Sequence, residues 1–284
     1  MSNAVNQAGF AFVQDLAAHL NRGDIKVPSF PDIVMRIKKV LEDENSSADK
    51  IARVASTDPA LAARILSISN SALMQRGGRN VQDLRTAIGR LGHEMVRNTA
   101  MCVAVEQIFL GASLGAQKKQ LKKIFKESTY VAALSYALAR KLTKINPDEA
   151  MMAGLLHNVG KLFIVMRASE HEEFFQDEGV FEAVMTEWHP QIGRAIIDNW
   201  GFSDEMAAAA GDHTDIERSP DGPPDLTDLV TVAWLMSQPA ANDEDFDFQK
   251  VRSWTRLHLD EERHANVIKD SQEEINALAS ALGG

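Results

Sequence analysis

The run LLHNVGKL, residues 155–162, sets a histidine directly before an asparagine inside an apolar stretch. A histidine followed by an aspartate would offer a divalent cation both an imidazole nitrogen and an anionic oxygen; Asn158 keeps the shape of the second group and loses its charge. Further groups able to join such a site are Glu127 in FKES, His189 in EWHPQIG, the pair Asp212 and His213 in AGDHTD, and Asp228 in LTDLV. A dinuclear centre that hydrolyses phosphate esters makes hydroxide at neutral pH, and it needs several imidazole or carboxylate ligands with an anionic oxygen bridging both ions. The amide oxygen of Asn158 can coordinate but cancels no charge, so two-metal catalysis is not expected from this set.

Each of these residues also has a plain structural role open to it. His157 reads as a packing histidine within an apolar helix, and His189, before Pro190, as the end of one helix or the cap of the next. Asp212 and His213 follow an alanine run that they can close, and Asp228 suits the N-terminal charge of a helix. Other catalytic templates are absent: there is no G-x-x-x-x-G-K-[ST] phosphate loop, no G-x-S-x-G elbow and no H-E-x-x-H zinc helix. The tripeptide Gly77-Gly78-Arg79 reads as a flexible polar turn.

The elements that position these residues are helical throughout. Phe12, Leu16 and Leu20 share one face, and Ile33, Ile37, Val40 and Leu41 share another, with charges opposite. Ser46, with Asp49 three residues on, approximates a capping box, and Asp58 before Pro59 opens the next helix. The pattern pauses at Gly92, breaks over Gly111 to Gly115, and resumes in a long amphipathic segment over 118–142. Further helices are expected around His157 and over 170–175, 180–200, 204–213 and 226–237, with loops at 219–225 and 239–247 and a helical tail over 247–282. No segment alternates with period two, so the fold class is all-α. The division reads as an N-terminal helical subdomain over 1–115, a second helical subdomain over 116–238, and an acidic connector with a helical tail over 239–284.

With 284 residues, 45% of them hydrophobic, the chain can bury a sizeable core. Thirty Lys and Arg against forty Asp and Glu give a net charge of −10, which argues against a nucleic-acid binder. Lys118, Lys119, Lys122, Lys123 and Lys126 form a local basic spot that reads as a solvated helix face. The single cysteine, Cys102 in MCVAV, excludes an internal disulfide and reads as a small buried hydrophobe. No apolar stretch reaches the roughly 18 residues of a membrane span, and no leader is evident, so a cytoplasmic location is expected.

Five runs in order, VPSFPDIVMRI, STDPALAARILSISNSA, LRTAIGRLGHEMVRN, GLLHNVGKL and EWHPQIGRAIIDNWGFSDEM, resemble the HDOD domain, the output-domain relative of the HD phosphohydrolases. The resemblance covers roughly residues 27–235. It implies an N-terminal helical bundle packed on an HD-phosphohydrolase-like helical subdomain, and a bacterial signal-transduction module that is not an enzyme and works through protein contacts. It also maps the metal positions of the related hydrolases onto Glu127, His157, Asn158, His189, Asp212 and His213, a degenerate set compatible with one divalent ion, iron, manganese or zinc. A cyclic-dinucleotide enzyme or a sensor kinase is the kind of protein partner implied. The competing expectation is a metal-dependent phosphohydrolase acting on a nucleotide or cyclic dinucleotide. In the N-terminal part Arg64 is expected to face solvent or a buried acid. Asn70 and Ser71 are expected to end a helix through side-chain bonds to the backbone, with lining of a ligand or partner groove as the functional alternative.

Overall fold

The computed structural model describes residues 31–41, 43, 46–71, 74, 80–110, 117–168, 178–238 and 247–283, together with Gln14 and Ala18. The expected face of Phe12, Leu16 and Leu20, the turn at Gly77 to Arg79, the break at Gly111 to Gly115, the helix over 170–175 and the connector over 239–246 lie outside these residues. Among the described residues every regular element is a helix.

Three short helices, α1 (Asp32–Leu41), α2 (Ala48–Ala55) and α3 (Pro59–Ser69), pack around the first part of α4 (Leu84–Leu110), which bends at Gly92, where φ is 78°. The long α5 (Lys118–Leu142) is the axis of the remainder. Against it lie α6 (Pro147–Leu156), α7 (Val159–Ala168), α10 (Leu226–Ser237) and α12 (Glu261–Ala281). Outside that layer α8 (Glu178–Asn199) packs on α7 and α9 (Asp204–Asp212), while the short α11 (Arg252–Arg256) packs on α10.

The caps explain most boundaries. Asp58 accepts the amide of Leu61 with Pro59 in the first turn of α3, as the sequence predicts. The cap of α2 is Ser47 rather than Ser46, its hydroxyl accepting the Lys50 amide, so Asp49 adds first-turn charge without completing a box. A full capping box instead opens α10, where Asp225 and Asp228 exchange side-chain and backbone bonds. The buried carboxylate of Asp228 also takes Ser253 Oγ at 2.8 Å and Arg256 Nε at 2.9 Å, tying α10 to α11 and standing apart from the histidines. Asn70 caps α3 and clamps Val81 from both sides, donating to its carbonyl and accepting its amide, while Ser71 donates to Ile68. Arg64 meets the acid Glu106 at 2.6 Å and also donates to the Leu282 carbonyl, as does the fully buried Cys102 thiol, so the end of α12 is fastened to α3 and α4.

Two differences from the sequence reading bear on the site. His157 and Asn158 form a turn between α6 and α7 rather than lying within one helix; the apolar pattern continues across the turn because both flanking helices are buried. Pro190 neither ends a helix nor starts one, since α8 runs through it.

Glycines bracket the His157 turn at three residues on either side. A Cβ on Gly154 would lie 2.8 Å from Ala132 Cα and 2.7 Å from Ser135 Oγ of α5, and a Cβ on Gly160 would overlap the carbonyl oxygen of His189 in α8. Both helices therefore approach backbone to backbone, a contact only glycine permits. Gly160→Ala is expected to destabilise the fold by about 3 kcal/mol. Gly89→Ala, in open space on an exposed part of α4, is expected to gain about 0.5 kcal/mol. Urea midpoints measure both, and a Gly160→Ala protein as stable as its parent would contradict this helix contact.

Candidate functional site

Three of the expected residues are gathered in one buried place. His157 comes from the turn between α6 and α7, His189 from the middle of α8, and His213 caps the C-terminus of α9. Their exposures are 0%, 2% and 0%. The rings of His157 and His213 meet edge to face with centroids 5.0 Å apart, those of His189 and His213 at 5.3 Å, and Trp234 of α10 closes on His213 at 5.5 Å.

Each imidazole is oriented by a local backbone carbonyl. Nδ1 of His157 lies 2.6 Å from the Gly154 oxygen, Nδ1 of His189 lies 2.7 Å from that of Met185, and Nδ1 of His213 lies 2.9 Å from that of Ala210. A carbonyl only accepts, so each Nδ1 carries the proton and donates, leaving each Nε2 with an outward lone pair. Pro190 has no N–H for the Thr186 carbonyl, and that free oxygen stands beside the His189 ring as well. Burial is the first cause that keeps all three rings neutral, lowering His157 to about 3 and His189 to about 2 and holding His213 well below its ordinary value. The Lys161 cation lowers all three further, and the neighbouring imidazoles repel one another's charge.

The Nε2 atoms of His189 and His213 are 3.4 Å apart. With both Nδ1 atoms protonated, that contact sets lone pair against lone pair unless a proton or a cation lies between them. Nε2 of His157 and both amide atoms of Asn158 are buried with no hydrogen-bond partner among the described residues. Such unsatisfied groups cost about 1–3 kcal/mol each, and they mark a position suited to water or an ion.

The two expected acids face elsewhere. Glu127 of α5 pairs with Lys161 at 3.7 Å and accepts from Gln238 at 3.2 Å. Asp212, next to His213 in sequence, turns outward to Arg194 at 3.1 Å. Lys161, Arg194 and Trp234 were not among the expected site residues. Lys161 has a signal, since it falls one helical turn after His157, whereas the other two reach the site only through tertiary packing.

Two nitrogens each about 2.1 Å from one tetrahedral ion stand about 3.4 Å apart, so His189 and His213 suit two positions on a zinc-like ion. No third ligand joins them: among the described residues no group of three His, Cys, Asp or Glu side chains is placed to hold a metal. With Asn158 where an acid would bridge, and with Glu127 and Asp212 already paired, the donor set does not fit a dinuclear hydrolytic centre.

The neutral imidazoles give the fold a pH dependence of definite sign. Their folded values lie below the unfolded value of about 6.5, so the unfolded chain binds protons first as pH falls. The stability they contribute is whole above about pH 6.5 and drains away as pH drops toward the folded values. Urea stability is expected to fall by about 2 kcal/mol for each of His157 and His189 between pH 7 and 5, with His213 acting in the same direction. Nitrogen NMR should meanwhile show three Nε2 atoms that stay unprotonated until unfolding. A midpoint near 6.5 for any of the three in the folded protein would contradict their burial.

Similarity to known proteins bears on the fold. The structure superposes on a Shewanella amazonensis SB2B protein provisionally named a metal-dependent phosphohydrolase, with a TM-score of 0.80, 21% identity, and coverage of 97% of this chain and 99% of that one. An HDOD domain protein of unknown function from Geobacter sulfurreducens matches with a TM-score of 0.68 at 22% identity, over 94% of this chain and 99% of that one. A Marinobacter aquaeolei VT8 protein provisionally named a signal transduction protein matches at 0.63 and 20% identity, over 97% and 66%. At these identities the likeness establishes the HD-like helical fold. An uncharacterized Treponema pallidum (strain Nichols) protein is 24% identical over 223 residues, and the chain spans about two fifths (41%) of that relative's length. The HDOD domain family itself matches residues 27–216, ending before the Leu235 limit expected from the motifs, and with two thirds of its length so matched the chain belongs to the HDOD family.

Proposed function

We propose that this HDOD protein is a non-enzymatic regulatory module that transmits a signal through protein–protein contact and carries a degenerate HD metal site. The observation that carries this reading is the fate of the acids. Glu127 is paired with Lys161, Asp212 with Arg194, and Asn158 stands where a charged oxygen would bridge two ions. The imidazoles keep the order that such a centre needs, but among the described residues no anionic oxygen faces them to balance a pair of metals or to activate water.

The family membership and the provisionally named signal transduction neighbour fit a regulatory role. A partner such as a cyclic-dinucleotide enzyme or a sensor kinase suits a domain whose output is contact rather than product. Among the described residues no helix is long and apolar enough to cross a membrane. The buried histidines then serve as a packed polar centre that fixes the joint between α6, α8 and α9.

One observation favours a second reading, a metal-dependent phosphohydrolase acting on a nucleotide or cyclic dinucleotide. The 3.4 Å separation of His189 and His213 matches two ligands of a single ion, and His157 has an unused nitrogen nearby. If His157 completed such a site, the ion would supply a Lewis acid for a phosphoryl oxygen or an acidified water.

Hydrolysis assays separate the two. Wild-type protein supplied with manganese, iron or zinc is expected to turn over bis(p-nitrophenyl) phosphate and cyclic dinucleotides no faster than His213→Ala does. Asn158→Asp is expected to bind manganese or zinc about tenfold more tightly than wild type, because it restores a buried anionic oxygen. Wild-type turnover abolished in His213→Ala, with an unchanged helical circular-dichroism signal, would establish the hydrolase instead.

A further inference from the structure

Beside the histidine cluster lies a cavity of about 960 Å³ that the reading above does not use. Its walls include Lys119 and Lys123 of α5, Lys161 of α7, Thr186 and His189 of α8, and Trp234 of α10. A neighbouring cavity of about 590 Å³ shares Lys123, Glu127 and Gln238 with it and adds Lys126. The basic spot is the exposed helix face that the sequence suggests, and Lys119, Lys123 and Lys126 of it also border a recess.

Three features of this wall run against what a merely structural surface would choose. The chain carries a net charge of −10, yet among the described residues Lys119, Lys123 and Lys126 form no ion pair. Lys118 and Lys119 stand in the first turn of α5, which has no acidic residue and no side-chain cap, although the exposed amides of a helix start favour negative charge. Trp234 supplies an aromatic side to the recess, its indole N–H being buried away from the open space. Unpaired cations, a helix start without acid and an aromatic side call for one complement, an anion that carries a planar ring.

We propose that this recess binds a small organic phosphate of nucleotide class, with its phosphate groups on Lys119 and Lys123 and its ring against Trp234. The cavity is of the size that encloses such a ligand, since small-molecule pockets run to about 1,000 Å³. Glu127 does not oppose this, because its charge is already balanced by Lys161. Glu182, the other acid on the wall, is exposed as Lys119 and Lys123 are, and its charge acts on Lys161. The ligand lies against His189, so its arrival would press on the packed joint of α8 and α9 and give the module an input that needs no chemistry. The proposal stands whether or not the protein is an enzyme, because it concerns binding alone.

Equilibrium dialysis of the full chain with ATP, inorganic pyrophosphate and inorganic phosphate, without added metal, provides the test. Saturable binding of one ATP per chain is expected, tighter than pyrophosphate and weakened by salt. The double variant Lys119→Gln, Lys123→Gln should weaken ATP binding by about tenfold or more, the loss of at least one charge-assisted bond. The double variant Lys144→Gln, Lys269→Gln, which removes the same charge from exposed positions on other surfaces, should leave it within about twofold. Trp234→Phe should narrow the gap between ATP and pyrophosphate. Absence of saturable binding by ATP and pyrophosphate up to about 10 mM would overturn the proposal. So would equal weakening by the two lysine pairs, or a polyglutamate peptide that binds more tightly than ATP, which would assign the recess to an acidic protein segment. Hydrolysis of the bound ATP would refute the non-enzymatic reading while supporting the binding site.

Discussion

The close approach of helix backbones at Gly154 and Gly160 sets the conditions for everything around it. Neither position has room for a side chain, because α5 presses on one and the carbonyl of His189 lies against the other. Between them the chain turns at His157 and Asn158, and both side chains become fully buried. Once buried, an imidazole is held neutral and takes a hydrogen-bond partner locally. The three histidines do so in the same way, each through Nδ1 to the carbonyl three or four residues earlier, which leaves three Nε2 atoms facing inward. Helix packing thus dictates tautomer, and tautomer dictates what the site can accept.

Charge decides what that acceptor set is worth. A metal centre of this geometry would draw carboxylates inward, but here each nearby acid has a basic side chain that suits it better than a neutral imidazole does. Lys161 is itself largely buried, and its ammonium group is held against desolvation by Glu127. Pulling Glu127 toward the histidines would take from the largely buried Lys161 its paired carboxylate, leaving Glu182 as its acidic neighbour, and pulling Asp212 inward would bury a carboxylate that now shares solvent with Arg194. The ion pairs and the amide of Asn158 therefore act together, and reversing any one alone would not rebuild a dinuclear centre.

Much of the fold was legible because the relevant signals are local. The bounds 118–142 and 226–237 coincide with α5 and α10, and the cap at Asp58 with Pro59 reads directly from chain order. The errors share a physical origin in burial. The apolar pattern runs unbroken through the turn at His157 because α6 and α7 are buried on nearly every side next to it, so periodicity has little polar face with which to mark the break. Pro190 is tolerated inside α8 because the carbonyl it frees sits beside the His189 ring. In the site, residue types and motif order pointed to the histidines, whereas the pairing of Glu127 with Lys161 and of Asp212 with Arg194 is tertiary and left no trace in spacing. The lysines of α5 form the exposed face that their spacing suggests, and only the packing of α7, α8 and α10 sets Lys119 and Lys123 beside a recess.

The central claim is that the imidazoles survive without the anionic oxygens of a two-metal centre. Counting tightly bound divalent ions on untagged protein, by plasma mass spectrometry after dialysis against manganese, iron or zinc, tests it most directly. The account predicts at most one ion per chain, lost when His189 and His213 are both replaced by alanine. Two ions per chain, both lost in that variant, would contradict it and return the site to the hydrolases.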